Sequence, residues 1–190
     1  MKNQHIELIP PDPSLAWALS DYYTRNRDFL RAFEPAREED FFTPAYQAEM
    51  LRGELLAREQ GTGCRFYIRP TGEPEKIIGS IGLNNIIRGA FQSCHLGYKL
   101  DKDYRNRGYM TMAVSMVVDH AFQQLHLHRI EAIVMPGNLA SLRVLEKNDF
   151  EKEGLSKYYL NINGTWEDHI HMVRLNYGMH KIPESRGSAE

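Results

Sequence analysis

The run Arg105-Asn106-Arg107-Gly108-Tyr109-Met110 places two guanidinium groups and a glycine directly before the longest apolar helical stripe of the chain. The first turn of a helix leaves backbone N–H groups without intrahelical acceptors, and the helix dipole is positive there. A glycine at that point lets a ligand approach the backbone closely. These residues therefore have the chemistry of a phosphate cradle, with an ordinary basic loop as the alternative. The run is neither a Walker A loop, which needs Lys-Ser/Thr after its second glycine, nor a G-x-G-x-x-G turn. His126 and His128 flank a loop, and His169 and His171 share one strand face. Either pair would need further ligands to hold a metal, and none is expected. The acidic run Glu34, Glu38, Glu39 and Asp40 reads as a solvated surface or as an attractor for a basic partner.

Apolar spacing defines the elements that must position these groups. Ile6 and Leu8 form a short strand ended by Pro10-Pro11, and Ser14 caps a helix running to about Asn26. Thr43-Pro44 starts a second helix carrying Met50, Leu51, Leu55 and Leu56. The period then becomes two, and strands are predicted at Phe66–Ile68, Ile77–Ile87 and Phe91–Leu100. From Met110 the apolar residues recur with helical spacing to Leu125, over about 18 residues or roughly 27 Å. Ile130–Val134 follows as a strand, so this stretch is a right-handed parallel crossover. A short helix spans about Leu139 to Lys147, and Asn163-Gly164 joins the two strands of a final hairpin.

The sum is an α+β fold with a mixed sheet and helices on both faces. The chain has 190 residues, and its net charge of −2 argues against a protein that coats nucleic acid. One domain over residues 1–178 is expected, with a polar, mobile tail over 179–190. Cys64 and Cys94 are too few for a disulfide framework and fit a reducing compartment. Met1–His5 has no apolar core of signal-peptide length, and no stretch approaches a membrane span. A cytoplasmic location without membrane attachment is therefore expected.

Asn138 and Ser141 lie just past the crossover strand, and Lys147-Asn148-Asp149-Phe150 closes the short helix. Taken with Arg105-x-x-Gly108-x-Met110, they resemble the motifs of the GCN5-related N-acetyltransferases, the GNAT superfamily. That family has Gly or Ala where this chain has Met110, and glycine where it has Asp149. Phe33-Glu34-Pro35, Leu96-Gly97-Tyr98, His128-Arg129-Ile130, Phe150–Gly154 and Gly164–His169 resemble the RimJ/RimL-like branch, which acetylates ribosomal-protein N-termini. The likeness runs from the first strand to about Leu175.

The resemblance implies a GNAT fold, with six or seven strands and splayed central parallel strands. It implies acetyl-CoA as cosubstrate, its pyrophosphate on N–H groups from Arg107 to Met110 and its pantetheine along Tyr98-Lys99-Leu100. The cofactor set so implied is Tyr98, Lys99, Leu100, Arg105, Asn106, Arg107, Gly108, Tyr109, Met110, Thr111, Asn138, Ser141 and Lys147. The acetyl carbonyl would lie near Tyr98, a strand-end N–H would hold its oxyanion, and an amine would attack directly. Glu34 is the candidate base, against a solvated loop carboxylate. Ser141 is the candidate proton donor to the thiolate, against a helix first-turn hydroxyl. Related enzymes often have glutamate near His95, which reads either as a proton relay or as a solvated strand residue. Asp168-His169 either lines the acceptor cleft or makes a cross-strand hydrogen bond. The implied acceptor is a protein N-terminus, possibly of a ribosomal protein. The alternatives are a small amine (polyamine, amino acid or aminoglycoside) and a non-catalytic acyl-CoA-binding module. A monomer and a loose homodimer both remain open.

Overall fold

The computed structural model describes residues 1–179. The expectation for the polar tail falls almost wholly outside them. The strands are β1 (Ile6–Ile9), β2 (Cys64–Pro70), β3 (Gly79–Ile87), β4 (Ser93–Leu100), β5 (Arg129–Val134), β6 (Glu151–Ile162) and β7 (Thr165–Leu175). The helices are α1 (Ala16–Leu30), α2 (Pro44–Glu59), α3 (Tyr109–Gln123) and α4 (Leu139–Glu146). One seven-stranded sheet runs in the order β1-β2-β3-β4-β5-β7-β6. Every neighbouring pair is antiparallel except β4 and β5, which α3 connects.

Strand alternation divides the core between the two faces of the sheet. Phe66, Ile68, Cys94, Leu96, Ile130, Ile170 and Met172 pack with Met110, Ala113, Val114 and Val117 of α3 and with Leu145 of α4. Tyr67 and Ile77 pack on the other face with Leu19, Tyr22 and Tyr23 of α1 and Leu51 of α2. Cys64 and Cys94 are buried and free, on strands separated by β3. Burial pushes the Cys94 thiol up to about 12, which leaves it a small core residue without a reactive thiolate. No helix among the described residues is long and apolar enough to cross a membrane.

Several boundaries differ from expectation. Ser14 does not cap α1; it sits in a short 3-10 turn, where the Asp12 carboxylate accepts its N–H at 2.8 Å. The helix runs on to Leu30, because Leu30 still reaches the core. Strands β3 and β4 begin two residues later than their apolar runs, and α3 has 15 residues. Met50 and Leu56 are exposed, because Leu51 and Gln47 form the buried edge of α2. Thr43 does cap α2, accepting the Tyr46 N–H at 3.3 Å. Asn163 and Gly164 take φ of 52° and 89°, the left-handed pair that a tight two-residue hairpin needs.

Candidate active site

Pairing between β4 and β5 joins Ser93 to Arg129, Cys94 to Ile130 and His95 to Glu131, and goes no further. Beyond that point β4 stays on β3 as far as Leu100, and β5 stays on β7 as far as Val134. The two strands therefore separate. A cavity of about 570 Å³ opens between them, lined by Leu96–Leu100 on one side and Ala132–Met135 on the other. From Leu96 onward the edge of β4 facing this gap offers backbone donors and acceptors with no strand partner.

Gly108 is the N-cap of α3 with φ of 77°, a conformation that glycine adopts without strain. No side chain caps the helix, and its first internal hydrogen bond is Met112 N–H to the Gly108 carbonyl at 3.0 Å. The N–H groups of the first turn are thus free for an anion. A Cβ added to Gly108 would meet nothing within 4 Å, so the approach is open. Arg105 is held with its guanidinium 4.8 Å from the Phe29 ring centroid, and Arg107 lies 5.0 Å from that of Tyr104. Met110, where the family has a smaller residue, is 5% exposed because its side chain turns into the core. It leaves the loop uncrowded. Asp149 takes φ of 56°, which accounts for the family glycine at this position; a short polar side chain tolerates the left-handed region.

The loop is anchored by a buried carboxylate, Asp101, that no local sequence signal marks out. Asp101 is 1% exposed and follows β4 directly. Its Oδ2 accepts from Arg25 Nε at 2.8 Å and Asn26 Nδ2 at 3.0 Å, and its Oδ1 accepts from the Asp103 N–H at 2.9 Å. Asn26 Oδ1 in turn accepts the Lys102 N–H at 2.9 Å. Helix α1 is thereby fastened to the segment that leads into Gly108. Burial acts to raise the Asp101 carboxyl, but these hydrogen bonds and the Arg25 charge outweigh it and hold the group below its ordinary value.

Asn138 caps α4, its Oδ1 accepting the Ser141 N–H at 3.2 Å. The Tyr98 hydroxyl lies 2.8 Å from Ser141 Oγ and donates to the Ser141 carbonyl at 3.1 Å. Burial raises the Tyr98 phenol, so it stays protonated and able to donate. Across the cavity, Lys99 Nζ lies 2.6 and 2.7 Å from the two oxygens of Glu34, with Arg37 at 3.6 Å. Lys99 also lies 5.2 Å from the Tyr23 ring centroid.

The fold brings Glu34, Tyr98, Lys99, Leu100, Arg105, Asn106, Gly108, Tyr109, Met110, Thr111, Asn138, Ser141 and Lys147 onto one cavity. Arg107 lines a shallower hollow beside it, with His5, Met112 and Lys147. His95 points elsewhere, 3.4 Å from the Asn85 amide near the surface. Asp168 also stays out of the cavity, accepting the Tyr158 N–H at 2.9 Å, whereas His169 lines it. Phe29 and Leu30, which form part of the wall, lie beyond Asn26, where the apolar pattern predicts the end of α1, so no local signal marks them. Among the described residues no three His, Cys, Asp or Glu side chains are grouped so as to hold a metal.

Comparison with known proteins agrees with this arrangement. The family model for the acetyltransferase (GNAT) domain matches residues 5–151. The [ribosomal protein uS5]-alanine N-acetyltransferase of Escherichia coli (strain K12) is 38% identical over 157 residues, covering 82% of this chain and 79% of that protein. The crystal structure of the ribosomal-protein-S5-alanine acetyltransferase from Vibrio fischeri superposes with a TM-score of 0.86. It is 36% identical and covers 93% of this chain and 96% of that one. Mycobacterium smegmatis RimJ, solved in complex with CoA-disulfide, gives a TM-score of 0.85 at 28% identity, covering 94% and 84%. The chain belongs to the GNAT acetyltransferases, in their RimJ-like branch. It is an acetyl-transferring enzyme, which sets aside a non-catalytic acyl-CoA-binding module.

Proposed function

We propose that this enzyme transfers the acetyl group of acetyl-CoA to the N-terminal α-amine of a protein, of the ribosomal-protein-alanine kind, in a ternary complex. The observation that carries the reading is the cavity itself. It gathers an uncapped helix N-terminus, a free strand edge, a hydroxyl pair and an acidic group between two separated strands. Acetyl-CoA would supply an activated acyl carbon and a thiolate leaving group. The α3 N–H groups, with Arg105, Arg107 and Lys147, fit its phosphates; the free edge of Tyr98-Lys99-Leu100 fits its amide-bearing arm.

An N–H at the end of β4 would hold the carbonyl oxygen as charge develops there. Ser141, with Tyr98 behind it, would give a proton to the departing sulfur. Glu34 faces the acceptor side. Both its oxygens are held by Lys99, so we assign it to orienting the incoming amine in preference to the base role its sequence context suggested. An α-amine has a reference pKa of about 8 against about 10.4 for lysine, so modest assistance suffices near neutrality. The acceptor is inferred from the named relatives.

Thiol release from acetyl-CoA tests the reading against Ala- and Ser-initiated peptides, lysine side chains and polyamines. Peptide α-amines are expected to be the preferred acceptors. Preference for polyamines or free amino acids would replace the protein acceptor with a small amine.

A further inference from the structure

His169 is 3% exposed, yet it lines the cavity. Its Nδ1 lies 2.9 Å from the Glu167 carbonyl oxygen, which can only accept. Nδ1 therefore carries the hydrogen, and the lone pair of the neutral ring is on Nε2, for which no partner exists among the described residues. His171, two residues on, is engaged instead: its Nε2 lies 2.9 Å from Ser156 Oγ. Along β7, Ile170 and Met172 turn into the core against α3 and α4. Alternation then places His169 on the α1 and α2 face, the side from which Lys99 and Glu34 reach the cavity. Tyr98 and Ser141 meet on the opposite face, where α4 packs.

We propose that His169 is the catalytic base for the acceptor amine, an inference that rests on the acetyl-transfer reading above. Nε2 takes one proton from the bound ammonium and passes it to water. The neutral nitrogen then forms the N–C bond to the acetyl carbon. As the C–S bond breaks, its electron pair goes to sulfur, and the nitrogen's surplus proton is replaced on sulfur through the Ser141 hydroxyl. One proton of the original ammonium stays on the amide, one ends on the thiol and one is released. The titratable and charged groups around His169 are Tyr159 of β6, with ring centroids 5.9 Å apart, Glu167, Asp168 and His171 on its own strand, and, on the cavity wall, Glu34, Tyr98, Lys99, Arg105, Tyr109, Arg143 and Lys147.

The test compares wild type, His169→Gln and His169→Ala with an Ala-initiated peptide across pH. At about pH 7 roughly a tenth of an α-amine is neutral, so the variants should lose about tenfold or more in kcat/KM, with the loss closing above about pH 9. Acetyl-CoA affinity should be unchanged. A loss below about twofold, or one equal at both pH values, overturns the assignment, since a purely structural role has no such pH rescue. Imidazole ¹⁵N spectra of the wild type give a readout independent of variant folding. Protonation at Nδ1 with a bare Nε2 is expected, and the opposite tautomer also overturns the assignment. Wild type that acetylates no peptide α-amine would defeat the functional reading instead, which the two arms keep separate.

Discussion

Ser141 stands at the start of α4 with its Oγ 2.8 Å from the Tyr98 hydroxyl, and each side chain gives the other a reason to be there. Residues Leu139–Glu146 alone describe a capped helix, and a serine in its first turn needs no further purpose. The contact with Tyr98, 43 residues away in sequence, supports the proton-donor reading, since a helix-start hydroxyl has no need of it. Ser141→Ala should lower kcat by about 10- to 100-fold while acetyl-CoA affinity changes little. Tyr98→Phe should act in the same direction, and the double variant should cost less than the product of the two, as expected of groups acting as one unit. Steady-state rates with calorimetric acetyl-CoA binding check this. An unchanged rate in Ser141→Ala would return the residue to its helical role. Glu34 shows the reverse case: visible as an acidic loop residue, it becomes one half of an ion pair once Lys99 is placed beside it.

Among the elements, α3 was the most legible, because its apolar stripe and preceding glycine are both local signals. Met110, Ala113, Val114, Val117, Val118 and Ala121 are all buried, as their spacing predicts. The left-handed φ of Gly108 and the missing side-chain cap are consistent with an N-terminus kept open for an anion. Gly108→Ala should cost about 1 kcal/mol through backbone strain and retain acetyl-CoA binding. Gly108→Glu should carry similar strain and abolish binding, by placing a like charge where the phosphates would sit. Melting curves with and without acetyl-CoA distinguish the two: a ligand-induced rise persists in the first variant and vanishes in the second. A rise in both would place the cofactor elsewhere. The hairpin at Asn163-Gly164 was equally legible, since its turn chemistry is confined to two residues.

At the scale of the whole molecule, Asp101 joins the α1 layer to the sheet end and the anion loop through Arg25, Asn26 and the Asp103 N–H. Its folded carboxyl titrates lower than in the unfolded chain. It therefore contributes stability in full above an unfolded value of about 3.9, and that stability is lost as pH falls through the lower folded value. Wild type should lose melting temperature in this acid window, and Asp101→Asn should show a smaller loss there. At neutral pH the substitution should cost about 2–4 kcal/mol, because Arg25 is left facing a neutral amide and one acceptor becomes a donor. Thermal melts of both proteins at neutral and acid pH check the sign. Equal acid sensitivity would show that other carboxylates govern it.

The sequence by itself determined the order of the main elements, the crossover around α3, the Gly108 loop and the residues from which a site could be made. Those signals are periodicity, turn chemistry and helix capping, and each is set by neighbours within a few residues. Only the tertiary structure decided which of the candidate groups share a cavity. The opening between β4 and β5, the inward turn of Met110, the Asp101 anchor and the placing of His169, in preference to His95, Asp168 and His171, on the cavity wall all depend on packing between distant segments. Whether a side chain on a strand meets solvent, core or ligand is fixed by what packs on that face, and the local pattern of residues does not carry that information.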